Sequence, residues 1–201
     1  MSKTNDLRIC FVGDSFVNGT NDPDFLGWTG RVCAAVQNTG HALTYYNLGI
    51  RRDTTSDIRK RWMNEVSCRL PADIDGRLVF SFGVNDTTIE HGETRVAPAR
   101  SSENARHILS SARKRYPTLM VGPPPTGSVA QNVRIAQMSH ELQAICAEVN
   151  VAYLDVYAHL MGSETWMHEV ATYDGSHPGS AGYSKLADLI SSWDAWLAWF
   201  K

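Results

Sequence analysis

The amino-acid sequence predicts a three-layer α/β/α fold, a flavodoxin-like doubly wound sheet of five parallel strands. Short apolar runs rich in β-branched and aromatic residues alternate with longer segments of helical period, which is the pattern of strands joined by crossover helices. The chain of 201 residues is long enough for one such sheet and too short for two ordinary domains. Residues 1–201 are therefore expected to form a single domain.

Five apolar runs are predicted strands, at residues 7–12, 43–48, 78–82, 118–122 and 151–155. Alternation of strands with helices implies a parallel sheet that is covered by helices on both faces. The fourth run is followed by Pro123, Pro124 and Pro125, which cannot continue a strand because proline has no backbone N–H.

The segments between and after these runs have helical period and are predicted helices, at residues 25–37, 54–69, 99–115, 131–149 and 180–200. Thr54 or Ser56 could cap the second helix. The last helix carries Trp193, Trp196, Trp199 and Phe200. Trp196 and Phe200 lie four residues apart and share a face. We expect that face to pack on the sheet, with a homodimer interface as the alternative. Residues 87–98 and 159–178 show no clear period and are predicted loops, of a length that tends to be functional.

Composition excludes several function classes. Nineteen Lys and Arg against 21 Asp and Glu give a net charge of −2, so the basic surface that binds nucleic acid is missing. Four scattered cysteines without a CxxC pair are expected to be free and mostly buried thiols. The apolar run at residues 9–12 is too short for a signal peptide or a membrane span. These features predict a cytoplasmic location.

In an open parallel sheet the carboxyl ends of the strands meet at one edge, where ligands bind. Four segments follow predicted strands, at residues 13–16, 49–53, 83–86 and 174–178, and three of them bring Ser15, Asn85, Asp174 and His177 to that edge. A hydroxyl, an imidazole, a carboxylate and an amide are the components of an acyl-transfer site. No metal-ligand or phosphate-loop pattern accompanies them, so no cofactor is expected.

Each of these residues also has a structural explanation. Ser15 could be a helix cap, Asp174 a turn residue, and His177 an exposed loop histidine. Asn85 could form an Asx-turn that holds its own loop. Four suitable residue types at the correct strand ends nevertheless favour a site over four separate coincidences.

Five blocks of sequence match a known pattern: FVGDS at 11–15, GW at 27–28, FGVND at 82–86, VGPP at 121–124 and DGSHPGSAGY at 174–183. With these blocks the sequence resembles the SGNH, or GDSL-type, hydrolases over nearly the whole chain. The aspartate three residues before a His-Pro pair is the most specific of the signals. The G-x-S-x-G elbow of the larger α/β-hydrolases is absent.

The resemblance implies a serine ester hydrolase that acts on a small-molecule ester through an acyl-enzyme. Ser15 would attack the acyl carbon, His177 would accept its proton, and Asp174 would orient the imidazole. The backbone N–H of Ser15 and the Asn85 amide would stabilise the oxyanion. Short-chain acyl or aryl esters are the expected substrates. Sugar O-acetyl groups and thioesters are alternatives, and a catalytically silent binding module is the alternative from another class.

One block departs from the family pattern. After the second strand the family has a glycine whose N–H completes the oxyanion hole, and alignment places Arg52 at that position, whereas Gly49 matches an earlier glycine. Arg52 could donate through its backbone, if its dihedral angles suit a residue with a Cβ, or place its guanidinium in the site. Asp14, Gly49 and Gly83 lie in matching blocks and are expected to support the site.

Overall fold

The computed structural model describes residues 6–36 and 42–201, and its centre is a parallel sheet. The strands are β1 Asp6–Gly13, β2 Ala42–Gly49, β3 Asp75–Ser81, β4 Ile89–Glu90, β5 Glu93–Thr94, β6 Thr118–Val121 and β7 Ala152–Leu154. Five of them form one sheet in the order β2-β1-β3-β6-β7 with every pairing parallel. The predicted fold class and all five predicted strands are confirmed. Strands β4 and β5 form a separate antiparallel hairpin.

The helices are α1 Ser15–Asn18, α2 Gly27–Val36, α3 Thr55–Ser67, α4 Pro98–Arg113, α5 Val129–Glu148, α6 Tyr157–Met161, α7 Glu164–Thr172, α8 Ser180–Ser191 and α9 Asp194–Leu197. Thr54 is the N-cap of α3, and the carboxylate of Asp57 accepts hydrogen bonds from its backbone N–H and its hydroxyl. The predicted end of the first long helix, Gln37, lies outside the described residues.

Two apolar cores lie on opposite faces of the sheet. Along β1, Ile9 and Phe11 belong to one core, and Cys10 and Val12 belong to the other, as the period of two in a strand requires. Helices α2, α7 and α8 supply side chains to the first core, and α3, α4 and most of α5 supply the second. The arrangement is three layers, with the sheet between two layers of helices.

The predicted single helix at 180–200 is wrong, because α8 ends at Ser191. The hydroxyl of Ser192 donates to the carbonyls of Asp188 and Leu189, and Trp193 has extended dihedrals. The chain therefore turns before α9 and places Trp196 against Phe11 of β1, with ring centroids 6.2 Å apart. Trp196 is fully buried, so the expected packing of this face on the sheet is confirmed. The homodimer stays a prediction.

The predicted loop at 159–178 is wrong in part, since most of it is helical. Ser163 caps α7 by accepting a hydrogen bond from the N–H of Trp166. Trp166 and Val170, four residues apart, are buried on one face of this helix. The loop proper begins at Tyr173 and carries the residues up to α8. The other predicted loop, at 87–98, contains the β4–β5 hairpin at residues 89–94.

All four cysteines are free, as predicted, and Cys10, Cys33 and Cys146 are buried while Cys68 is exposed. Burial raises the pKa of each of the three buried thiols to about 12. They are inert core residues, because nucleophilic cysteine chemistry needs the thiolate. Within the described ranges, no helix combines the length and apolar character that crossing a membrane would require.

Replacing Trp196 by alanine should lower the free energy of unfolding by about 3–5 kcal/mol, because it opens a cavity between the last turn and the sheet. The indole N–H of Trp196 has no acceptor among the described residues, so Trp196→Phe should cost less. Leu197→Ala, at a half-exposed neighbour, is the control. Urea unfolding measures all three, and equal losses for Trp196→Ala and Leu197→Ala would contradict the docking.

Candidate active site

Ser15 is positioned by a tight turn at the end of β1. Asp14 is the N-cap of α1, its carboxylate accepts a hydrogen bond of 3.0 Å from the N–H of Phe16, and Ser15 is the first helical residue. Gly49 at the end of β2 packs directly against this turn, where a Cβ would lie 2.2 Å from the backbone nitrogen of Asn18. Only glycine allows β2 to approach so closely, so Gly49 supports the turn that presents Ser15.

Ser15, His177 and Asp174 form a continuous line of hydrogen bonds. Nε2 of His177 lies 2.7 Å from Oγ of Ser15, and Nδ1 lies 2.8 Å from Oδ2 of Asp174. Oδ1 of Asp174 accepts the backbone N–H groups of Ser176 at 3.0 Å and His177 at 2.8 Å. The loop after α7 thus carries both His177 and Asp174, whereas Ser15 is held by the turn after β1. The ring of Phe16 packs on the imidazole with centroids 4.7 Å apart.

The electrostatics of this line suit proton transfer. Burial would raise the pKa of Asp174, but hydrogen bonds from the backbone of His177, its ring and the backbone of Ser176 lower it to about 2. Burial lowers the pKa of His177 below its usual value, and the nearby charge of Arg51 adds to this, while Asp174 opposes it. At neutral pH the carboxylate is therefore charged and the imidazole is neutral, able to accept a proton from a hydroxyl.

Arg52 has a backbone conformation that glycine adopts more easily than other residues. Its φ is 69°, in the left-handed region where a Cβ is unfavourable. Its guanidinium donates to Glu90 of β4 at 2.7 Å, and Glu90 also pairs with Arg95 at 3.4 Å. The β4–β5 hairpin therefore engages the side chain of Arg52, and its backbone adopts a glycine-like turn.

Asn85 connects two loops at the edge of the sheet. Its Nδ2 donates to the carbonyl of Asp53 at 2.9 Å and lies 3.5 Å from Oδ2 of Asp14, so the amide bonds to the neighbouring loop rather than its own. Gly83, two residues after the end of β3, has a φ of 120°, which other residues rarely adopt.

Two acidic residues that the sequence analysis did not assign hold the same loops. Asp86 is buried and accepts hydrogen bonds from the N–H and hydroxyl of Thr55 and from the hydroxyl of Ser101. Glu169 of α7 accepts from the N–H groups of Gly179 at 2.9 Å and Gly182 at 2.6 Å. Asp86 follows Asn85 in the FGVND block, so its position in the sequence could have identified it as a residue that supports the site. Glu169 lies in the segment that was predicted to be a loop, where no pattern indicated its role.

Four of the five residues predicted for the triad and oxyanion hole line one cavity of about 240 Å³. Its walls are Ser15, Phe16, Arg51, Arg52, Val84, Asn85, Thr88, Glu90, Arg95, Gln131, Ser176 and His177, with Asp174 behind the imidazole. A larger surface cleft of about 620 Å³ lies at Leu70 and Tyr116 and contains none of these groups. The cavity at Ser15 therefore combines a hydroxyl, a base and amide donors, which is the equipment for acyl transfer.

Comparisons with known proteins agree with the predicted resemblance. The sequence model of the GDSL-like lipase/acylhydrolase family matches residues 11–185. The fold is similar to that of a lipase/acylhydrolase from Enterococcus faecalis, with 23% identity, a TM-score of 0.75, and coverage of 92% of this chain and 93% of that chain.

An acetylxylan esterase from Geobacillus stearothermophilus is 17% identical with a TM-score of 0.74, over 96% of this chain and 98% of that chain. A lipolytic protein of the G-D-S-L family from Veillonella parvula is 17% identical with a TM-score of 0.74, over 92% of this chain and 96% of that chain. A search among curated proteins finds no match. At these identities the structures bear on the fold alone.

Asp14 should make the protein less stable as the pH rises. It is fully buried, and burial raises its pKa to about 7, although the N–H of Phe16 opposes the shift. Since the folded state holds the proton more tightly than the unfolded state, this stabilisation is present below about pH 4 and is lost as the pH rises through about 7.

In Asp14→Asn that pH dependence should disappear, with a difference of up to about 4 kcal/mol between the two ends of the range. Urea unfolding of both proteins at several pH values measures it. Identical pH dependence of the wild type and Asp14→Asn would contradict the raised pKa.

Arg52→Gly should increase the free energy of unfolding by about 1 kcal/mol, because glycine adopts a positive φ without strain. If the backbone N–H of this residue is the oxyanion donor, Arg52→Gly should also retain ester hydrolysis. Arg52→Ala serves as the control, because it removes the guanidinium and keeps the strain. A large loss of activity in both variants would instead assign the donor to the side chain.

Proposed function

Because the chain belongs to the GDSL-like lipase/acylhydrolase family, we propose that Ser15, His177 and Asp174 cleave short-chain acyl or aryl esters through an acyl-enzyme intermediate. Membership of this family makes the protein a carboxylic ester hydrolase. The observation that supports the assignment of residues is the unbroken line from Oγ of Ser15 through the imidazole of His177 to the carboxylate of Asp174. It also favours catalysis over a silent binding module.

In the first step Oγ of Ser15 attacks the acyl carbon and its proton passes to Nε2 of His177. The charged imidazolium is stabilised by Asp174, whose lowered pKa keeps it ionised. Negative charge develops on the former carbonyl oxygen. The donors we assign to it are the backbone N–H of Ser15, the backbone N–H of Arg52 and Nδ2 of Asn85, and this is supported by the position of all three residues on the walls of one cavity.

In the second step the tetrahedral intermediate breaks its bond to the alcohol oxygen, which takes the proton from Nε2 of His177. The acyl group remains on Ser15 as an ester. A water molecule then gives a proton to His177 and attacks the acyl carbon, and Ser15 is released with its proton restored. The products are the carboxylic acid and the alcohol, and the enzyme returns to its starting state.

The size of the cavity supports the substrate class. At about 240 Å³ it is smaller than sites that enclose drug-sized ligands, so a short acyl chain or a single aryl ring fits it best. Sugar O-acetyl groups and thioesters would use the same chemistry. A panel of aryl esters, acetylated sugars and thioesters, compared by kcat/KM, separates these alternatives.

A fluorophosphonate should label the wild-type protein once, on Ser15, because only a serine with an adjacent base reacts readily with this probe. Ser15→Ala should lose the label and lower kcat for an aryl acetate by about 10⁴-fold or more. Ser110→Ala, a surface serine on α4, is the matched control and should behave as the wild type. Labelling of folded Ser15→Ala, or none of the wild type, would remove Ser15 as the nucleophile.

The pH profile of kcat/KM should rise with pH along a single acidic limb whose midpoint lies below about 6.5, the ordinary value for histidine. The free base of His177 is the active form, and burial together with Arg51 lowers its pKa. In Arg51→Gln the midpoint should move upward. A flat profile through the acidic range, or a wild-type midpoint above the ordinary value, would contradict the role of His177.

A further inference from the structure

We propose that the ester cleaved at this site carries a negative charge, and that the guanidinium of Arg51 binds it. This inference deepens the proposed function and rests on it, since it concerns the substrate of the same cavity. The observation is a cluster of three arginines around the catalytic pair in a protein of net charge −2.

The charges on the walls of the cavity do not balance. Arg51, Arg52 and Arg95 face it together with one carboxylate, Glu90. Asp174 is charged as well, but it is engaged behind His177 by three hydrogen bonds. The cavity walls therefore carry two positive charges in excess. A recess with this excess of positive charge attracts anions and raises their local concentration.

Two of the three arginines are already paired. Glu90 accepts a hydrogen bond from Arg52 at 2.7 Å and lies 3.4 Å from Arg95. Arg51 makes neither a hydrogen bond nor an ion pair with any of the residues that the structure describes. It is therefore the cation at this cavity whose donors are available to a ligand.

The backbone places Arg51 beside the reacting groups. The N–H of Ile50 donates to the carbonyl of Gly13 at 3.0 Å, which fixes the loop next to the Ser15 turn. Arg52 has a left-handed backbone, and its side chain pairs with Glu90 of the β4–β5 hairpin. Arg51, the preceding residue, lies on the cavity wall. Arg51 shares this wall with Ser15 and His177, and its charge contributes to the lowered pKa of the imidazole.

The donor geometry indicates the class of ligand. A guanidinium presents parallel N–H groups that match the two oxygens of a carboxylate, and such charge-assisted pairs are stronger than neutral hydrogen bonds. Neither proton transfer by His177 nor the backbone oxyanion donors require a free guanidinium. The substrate class is therefore a small ester with a carboxylate close to the ester bond, either on the acyl side or on the alcohol side.

Two pairs of esters distinguish these sides. On the alcohol side, p-acetoxybenzoate is compared with its methyl ester, and on the acyl side the mono-p-nitrophenyl ester of adipate is compared with p-nitrophenyl hexanoate. The measured quantity is the ratio of kcat/KM for the charged ester over the neutral ester. Because the intrinsic reactivity of each ester is the same for every variant, a change in this ratio between variants reports only on the protein.

In Arg51→Gln the ratio should fall about tenfold or more for at least one pair, because a charge-assisted hydrogen bond is lost. Arg51→Lys should keep part of the preference, and added salt should weaken it in the wild type. Arg106→Gln, on the surface of α4 and paired with Glu148, is the matched control and should leave the ratio unchanged. Unchanged ratios for both pairs in Arg51→Gln would overturn the inference.

Binding measurements separate this inference from the proposed function. In Ser15→Ala, calorimetry measures the affinity for the two intact charged esters without turnover, and adding Arg51→Gln should weaken at least one of them about tenfold or more. Equal affinities with and without Arg51 would overturn the inference even if fluorophosphonate still labels Ser15. If Arg51→Gln weakens binding of a charged ester but fluorophosphonate never labels the wild-type protein, the inference about Arg51 stands and the assignment of Ser15 as the nucleophile is contradicted.

Discussion

Carboxylates that accept backbone N–H groups hold the loops at the carboxyl edge of this sheet. Asp14 binds the start of α1, Asp86 binds the start of α3, Asp174 holds the loop that contains His177, and Glu169 holds the segment that enters α8. These loops have little regular secondary structure of their own. Side-chain acceptors therefore satisfy backbone donors that would otherwise be unpaired, and they fix the distances on which the chemistry depends.

Carboxylates that accept backbone N–H groups at this edge differ in the direction of their pKa shifts. Asp174 is partly exposed and accepts two backbone donors and the imidazole, so its pKa falls to about 2 and it stays charged. Asp14 is fully buried with one backbone donor, so burial dominates and its pKa rises to about 7. At neutral pH the acid beside the nucleophile therefore keeps its proton in a large fraction of molecules, while the acid behind the base is ionised. Charge is concentrated where it supports the imidazole.

The sequence predicted the sheet, its strands and the residues that converge, because strand periodicity and position along the chain are local signals. It did not predict the break at Ser192, since that turn depends on Trp196 reaching Phe11 across the sheet. Nor did the sequence show whether the guanidinium of Arg51 or that of Arg52 is paired with a carboxylate among the described residues. Arg51 and Arg52 are adjacent in sequence, and only the contact between Arg52 and Glu90 on a distant hairpin distinguishes them. The sequence also left open whether the dihedral angles of Arg52 suit a residue with a Cβ, and its φ of 69° lies in the left-handed region where a Cβ is unfavourable.

The central claim is that an acyl group passes through Ser15, and a rapid-quench experiment with an aryl acetate tests it most directly. The account predicts a burst of released phenol that approaches one equivalent of enzyme when deacylation limits turnover. Acid-quenched protein should then carry one acetyl group on the peptide that contains Ser15. An acetyl group on another residue would contradict the account. So would turnover during which no acetyl group is found on Ser15 at any pH used to slow deacylation.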